Sequence, residues 1–97
     1  MTEILDSQEA KHDHGKLEIS LVPPAIIEAV AEVRMYGTSK YGDRDNWLEV
    51  EKQRYIDALL RHTVEFMRDY GSKDDESGIE HIKHMACNIA FILEMNR

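Results

Sequence analysis

Two stretches of this chain, 51–70 and 76–95, repeat apolar residues every three or four positions yet hold ionisable groups on or beside those stripes. In the earlier stretch the stripe is Ile56, Leu59, Leu60, Thr63, Phe66, Met67 and Tyr70, with His62 at its border. In the later one Ile79, Ile82, Met85, Ala86, Ile89, Ala90 and Leu93 cover one side, and His81 and His84 project from the same helix. Helices that only filled a core would keep one side apolar and scatter solvated charge over the other. Ionisable groups beside a stripe are costly without partners. The pattern predicts an all-α fold with three main helices per subunit and a polar site between helices.

The remaining boundaries follow from capping and turn chemistry. A first helix is expected from about Pro24 to Tyr36, with proline in its first turn and Gly37 stopping it at positive φ. A loop from Thr38 to Trp47 follows, and Asn46 caps a short turn with Glu49 at its third position. The second helix is expected over Glu51 to Tyr70, closed by Gly71, and then an acidic, flexible linker over Ser72 to Glu76. Ser77-Gly78-Ile79-Glu80 matches a capping box, which makes Ser77 the N-cap of a third helix ending near Met95. Residues 1–15 read as a flexible polar arm and 16–97 as a single domain. Lys16 to Val22 reads as an extended lead-in. Phe91, Ile92 and Met95 spread apolar surface around the third helix, so a homo-oligomer is expected, as a dimer or a larger assembly.

Charge and composition narrow the function. The net charge is −7, with 19 acidic and 12 basic side chains, which argues against a nucleic-acid partner because backbone binding needs a basic surface. A small polyphosphate needs only a local positive pocket or a metal. Six of the 12 Lys and Arg residues fall between Arg34 and Arg61. No apolar run approaches the roughly 20 residues that cross a bilayer, and no signal-peptide pattern opens the chain. The lone Cys87 cannot form an internal disulfide, so a cytoplasmic location is expected, that of a host cell if the chain is phage-encoded.

Three constellations could carry chemistry. His81 and His84 are three residues apart on one helix side and read either as metal ligands completed by carboxylates such as Asp57, Glu65 or Glu76, or as hydrogen-bonded interface histidines. Asp74, Asp75 and Glu76 can equally well complement the positive end of the third helix. Arg61 offers a planar fork for phosphate beside His62, which can titrate near neutral pH; alternatively Arg61 bridges Asp57 and Glu65. Tyr41 and Trp47 flank Lys40, Arg44 and Asn46, which suits a stacked nucleobase with neutralised phosphates, or else Trp47 packs the loop onto the helices. His12-Asp13-His14 could also bind a metal. No Gly-rich phosphate loop and no Ser/His/Asp arrangement is present.

Five ordered motifs add a resemblance. They are Asp13-His14-Gly15-Lys16, Leu21-Val22-Pro23-Pro24, the run from Tyr36 to Trp47 (YGTSKYGDRDNW), the run from Arg54 to His62 (RYIDALLRH), and that from Glu76 to His84 (ESGIEHIKH). In this order they resemble small phage and prophage proteins labelled dATP/dGTP diphosphohydrolase-like. That group is similar to the all-α, MazG-like nucleotide pyrophosphohydrolases. The resemblance implies a helical oligomer that cleaves a nucleoside triphosphate to monophosphate and pyrophosphate with a divalent metal. Mg²⁺ or Mn²⁺ is the first expectation and Zn²⁺, Fe²⁺ or Ni²⁺ the alternatives. Where MazG-like helices carry Glu-x-x-Glu and Glu-x-x-Asp, this chain has Asp57 with Arg61-His62 and His81-x-x-His84, groups better suited to softer ions than Mg²⁺.

On this reading Asp57, Glu76, His81 and His84 hold metal, His62 and Asp57 are catalytic, and Lys40, Arg44, Asn46 and Arg61 take the nucleotide with Tyr41 and Trp47 against its base. The substrate would be a purine (deoxy)nucleotide. A different class of function is a non-catalytic nucleotide-binding protein, such as a phage sponge for a nucleotide immune signal.

Overall fold

A computed structural model of the chain describes residues 15–97, and the expectations for the N-terminal arm, including His12-Asp13-His14, lie outside those residues. Three helices dominate: α1 (Ala25–Tyr41), α2 (Lys52–Arg68) and α3 (His81–Met95). Short 3-10 turns at Ile19–Leu21 and Asn46–Glu49 precede α1 and α2. Among the described residues there is no strand, only an isolated bridge between Lys73 and Glu80. The all-α, three-helix expectation is met. The helix α3 is the common surface: α1 and α2 each pack against it.

The helix ends differ from those expected, each for an identifiable reason. Gly37 does not stop α1, which runs one turn further to Tyr41; Gly42 takes the left-handed conformation at φ 73 and donates its N–H to Thr38. Either glycine could end a helix, and the added turn is held by the ion pair of Lys40 with Glu76. The second helix ends at Arg68, where Asp69 turns extended and its side chain accepts from Gly71 N–H at 3.1 Å. Asp45, rather than Asn46, stands at the start of the 46–49 turn, and no side-chain cap forms there. The lead-in before Pro23 contains the Ile19–Leu21 turn instead of continuous extension.

The capping box at Ser77 does not form. The segment expected to be a flexible linker is tied down as a tight hairpin-like loop before α3 begins. Asp74 N–H donates to Ile79 O at 2.8 Å, Gly78 N–H to Asp74 O at 2.8 Å, and His81 N–H to Ser72 O at 3.0 Å. Ser77 N–H donates to the Asp74 carboxylate at 2.8 Å. These bonds use amide groups that a capping box would have needed, so Glu80 becomes the N-cap position and α3 starts at His81. Gly78 completes the loop at φ 73.

Very little apolar surface is buried within one chain. Ile79 and Cys87 are the buried hydrophobic residues, and the other buried side chains are His81, His84 and Asn88. Ile26, Ile27, Ile89 and Leu93 stay exposed, and with Val30, Ala31, Ala86 and Ala90 they line an apolar trough between α1 and α3. An aromatic cluster closes the other side: Trp47 stacks on Phe91 with centroids 4.5 Å apart, and Tyr55 lies 4.7 Å from Phe91 and donates its hydroxyl to Trp47 O at 2.7 Å.

The two glycines of α1 give opposite expectations. Gly37 lies inside the helix with open space where a Cβ would stand, so Gly37→Ala should stabilise by about 0.5–1 kcal/mol. Gly42→Ala should destabilise by about 1 kcal/mol or more, because alanine is strained at φ 73. Thermal unfolding of the two variants should move in opposite directions by several degrees, roughly 4–8 °C per kcal/mol.

Candidate functional site

The ends of α2 and α3 converge at a histidine cluster. His62 lies on the third turn of α2 because the three- and four-residue spacing turns it toward α3, beside Leu59 and Phe66. Its Nδ1 is 2.7 Å from Nδ1 of His81, in the first turn of α3. Its ring stacks on His84, with centroids 4.5 Å apart and planes within 5°. His84 Nε2 sits 2.7 Å from the Ser77 hydroxyl, whose oxygen also accepts Ile79 N–H at 3.1 Å. Asn88, one turn further along α3, donates to His84 O at 2.9 Å. The loop that displaced the capping box thus presents Ser77 and Asp74 to the three rings.

Burial decides the charge of the cluster. The half-buried His62 is held down to about 4 by loss of solvation and by the neighbouring His84 and His81 rings. His84 is also lowered, chiefly by burial, although Asp74 opposes the shift. Burial pushes Asp74 up, but the N–H and hydroxyl of Ser77 and the adjacent histidines more than offset it, so the carboxyl titrates below its ordinary value. Near neutral pH His62 and His84 are therefore neutral imidazoles beside an ionised Asp74 carboxylate. One ligand atom each from His62, Asp74 and His81 lies within 4.8 Å of the others, a spacing that can hold a metal ion.

The cluster lies between two open cavities. One, of about 560 Å³, is lined by Tyr36, Lys40, Tyr41, Arg54, Asp57, Arg61, His62, Asp74, Glu76 and His84, among others. The second, of about 580 Å³, shares Arg61, His62, Asp74 and Glu76 and adds His81. A third, of about 370 Å³, joins the first through Tyr41, Arg54, Tyr55 and Phe91, and it contains Arg34, Asn46 and Trp47. In the first cavity the three cationic residues, Lys40, Arg54 and Arg61, face three carboxylates, Asp57, Asp74 and Glu76.

The residues singled out from the sequence take distinct places. Of Asp57, Glu76, His81 and His84, the two histidines sit in the cluster, while both carboxylates stand on the wall of the first cavity. Asp57 is exposed and accepts from Gln53 at 3.0 Å, and Glu76 forms an ion pair with Lys40. Arg61 bridges neither Asp57 nor Glu65, since Glu65 pairs with Arg68 at 3.6 Å, and its exposed side chain reaches both cavities. Tyr41 is exposed, with Lys40 Nζ 5.1 Å from its ring centre. Trp47 gives one face to Phe91, and the Arg34 guanidinium lies 6.0 Å from its centroid, so Trp47 anchors its loop as well as bordering the third cavity. Arg44 lies on none of these cavity walls, and its carbonyl accepts from Arg34.

Three contributors were not legible beforehand. Asp74 reads from sequence as one of a run of helix-end acids, and only the loop singles it out. The spacing Asp74-x-x-Ser77 followed by Gly78 is the signal that could have found it, because Asp side chains commonly accept from a nearby backbone N–H in turns. Arg54 and Arg34 lie outside the loop of aromatics and cations, and they reach the cavities because α1 and α2 both pack against α3.

The His62 environment sets a pH expectation. Its folded value, about 4, lies below the ordinary histidine value of 6.5, so the unfolded chain binds the additional proton in that window. The stabilising contribution is full above about 6.5 and is lost as pH falls toward 4. In metal-free buffer, denaturation midpoints should fall over that range, and His62→Gln should flatten the acid limb.

Comparison with known proteins matches this architecture to one family. A family model described as dATP/dGTP diphosphohydrolase, N-terminal, matches residues 6–97. A dATP/dGTP diphosphohydrolase of Salmonella phage PMBT28 is 40% identical over 82 residues, which are 84% of this chain and 28% of that protein. The chain thus spans less than a third of the length of this relative. No solved structure matches. With the family model covering nearly all its residues and this level of identity to the phage protein, the chain belongs to the dATP/dGTP diphosphohydrolase N-terminal family.

Proposed function

We propose that this chain binds a purine (deoxy)nucleoside triphosphate and, with a divalent metal, converts it to monophosphate and pyrophosphate. The observation that carries the reading is the first cavity: Arg54, Arg61 and Lys40 line a hollow of about 560 Å³ beside a cluster of three imidazoles. The name of the phage relative supports the substrate class. The fold itself, all-α with helices meeting at polar side chains, is in keeping with a relation to the MazG-like pyrophosphohydrolases.

The groups divide the work by position. Arg61 and Arg54 offer planar forks for phosphate oxygens, and Lys40 adds a point charge at the cavity edge. The adjoining cavity, with Tyr41, Trp47 and Asn46, takes the base and Arg34 closes its far side. Water attacks the α-phosphorus, the bond from that phosphorus to the α–β bridging oxygen breaks, and pyrophosphate leaves. The proton released from water goes to a group on the α2 wall, where Asp57 and His62 both face the cavity. A triphosphate would add strong negative charge to a cavity whose own cations and carboxylates are balanced, so a divalent cation is needed to make binding favourable. Bound there, the ion would supply Lewis-acid polarisation of the phosphates.

The oligomer proposed is made of copies of this chain joined through the apolar trough of α1 and α3. Among the described residues only two hydrophobic side chains are buried, while Ile26, Ile27, Ile89 and Leu93 face outward on this one side, continuous with each other and free of charge. A two-fold axis along the trough would bury it against itself. The setting proposed is the cytoplasm of a host cell; no helix among the described residues is long and apolar enough to cross a membrane.

Two experiments test this reading. Incubation with a nucleotide panel in Mg²⁺, Mn²⁺, Zn²⁺ or Co²⁺ should release monophosphate and pyrophosphate in equal amounts. Arg61→Ala should lower kcat/KM at least about tenfold, with Arg61→Lys between it and the parent. Absence of turnover with every pairing overturns hydrolysis, and stoichiometric capture of a nucleotide recovered unchanged would instead indicate a binding protein. For the assembly, Ile27→Glu with Leu93→Glu should shift sedimentation to the monomer mass, while Leu48→Glu, on an exposed residue outside the trough, should not.

A further inference from the structure

We propose that His62, Asp74 and His81 are the three protein ligands of one divalent cation of borderline softness, such as Zn²⁺, Fe²⁺ or Co²⁺. This deepens the hydrolytic reading by naming the residues that hold its metal, and it replaces the quartet Asp57, Glu76, His81 and His84 with a set drawn from both sides of the α2–α3 junction.

Four observations carry the assignment. The ligand atoms of the three residues lie within 4.8 Å of one another, a coincidence no other set of described His, Cys, Asp or Glu residues reaches. The His62 and His81 Nδ1 atoms face each other at 2.7 Å, so two nitrogens converge on one point, filled either by the proton of an N–H···N bond or by a metal. Two nitrogens bound to a tetrahedral ion stand about 3.3 Å apart, given bonds of about 2.0–2.1 Å. Binding the ion there would take a rotation of the rings that opens the 2.7 Å gap by about 0.6 Å. The carboxylate is also fixed in advance: Asp74 accepts Ser77 N–H at 2.8 Å, and its own N–H and C=O are bonded to Ile79 and Gly78. Outer-sphere bonds of this kind orient ligands and strengthen metal sites.

The site is also open where a substrate would need it. His62 and Asp74 line both large cavities, His81 the second alone, so coordination positions not filled by protein point toward the space lined by Arg61. Three protein ligands with open positions are the arrangement of catalytic rather than structural metal sites. Two neutral imidazoles and one carboxylate favour borderline ions over Mg²⁺, which prefers an all-oxygen shell. With one ligand charge against two on the ion, the site keeps a net positive charge to meet phosphate. The assignment removes His62 as a proton acceptor and leaves that part to Asp57 on the adjacent wall. His84 has a different role: through Ser77 and its stack on His62, it holds the ligand ring and the loop in place, so it is a positioning residue.

The test uses cobalt(II) as probe on the full chain, stripped with chelator and free of nucleotide. One equivalent per chain should bind by calorimetry and give visible d–d absorption. His62→Ala, His81→Ala and Asp74→Asn should each weaken binding at least about tenfold, whereas Glu76→Gln and Asp57→Asn should leave it unchanged. Because a histidine variant could fail to fold, ¹⁵N spectra of the unmutated protein provide a second reading, in which Zn²⁺ should shift the Nδ1 signals of His62 and His81 and not those of His84. Absence of a stoichiometric site overturns the assignment. So does binding that survives all three substitutions, that Glu76→Gln removes, or that His12→Ala with His14→Ala removes. One bound cobalt without nucleotide turnover keeps this site and rejects the hydrolytic reading; turnover without a cobalt site does the reverse.

Discussion

The loop from Ser72 to Glu80 is the constraint on which the rest of the molecule depends. It is short, and its amides are committed: Asp74 pairs with Ile79 and Gly78, Ser77 N–H with the Asp74 carboxylate, and His81 with Ser72. Those bonds fix where α3 begins and how it leaves α2, in a junction with few buried apolar side chains to do the same work. The left-handed backbone at Gly78 lets the chain reverse in so few residues. Once the entry of α3 is set, His81 and His84 have no freedom except to face α2.

That geometry turns an energetic liability into a site. Three imidazoles and a carboxylate, all buried or half-buried at the junction of two helices, would be costly if charged and unpaired. The protein resolves this with neutral rings at His62 and His84, with hydrogen bonds and stacking contacts among the three imidazoles, and with one carboxylate held ionised by the loop's own donors. The same choice leaves lone pairs directed at a common point. A cluster that avoids desolvation cost in this way is also one prepared to accept a cation, because metal binding requires deprotonated imidazole.

The burial pattern divides the surface of the chain into two kinds of face. On one side polar cavities share the Arg61, His62, Asp74 and Glu76 wall, with the aromatic group of Trp47, Tyr55 and Phe91 at the far end. On the opposite side the α1–α3 trough is almost wholly apolar. Because α3 contributes to both, its sequence is apolar nearly all round yet interrupted by His81, His84 and Asn88. A central helix with two different neighbours has no fully solvated side, and that is why its pattern looks like neither a surface helix nor a simple core helix.

Periodicity in the sequence determined the three helices, their order, and the histidines as the groups most at odds with an ordinary core, because side-chain spacing along a helix follows directly from 3.6 residues per turn. Family membership was also legible there, through motifs that run in order from Asp13 to His84. What the tertiary structure decided was which acid joins the histidines. Asp57 and Glu76 have the right chemistry, but α2 turns the first toward Gln53 and the Lys40 ion pair takes the second, whereas Asp74 is delivered by backbone bonds between residues that no helical period relates. The end of α1 lies at Gly42 instead of Gly37, and the last turn is held by the ion pair of Lys40 with Glu76, a contact that forms only when the loop before α3 comes up against α1. Contacts between distant segments are set by how helices lean on one another, and a local pattern carries no measure of that.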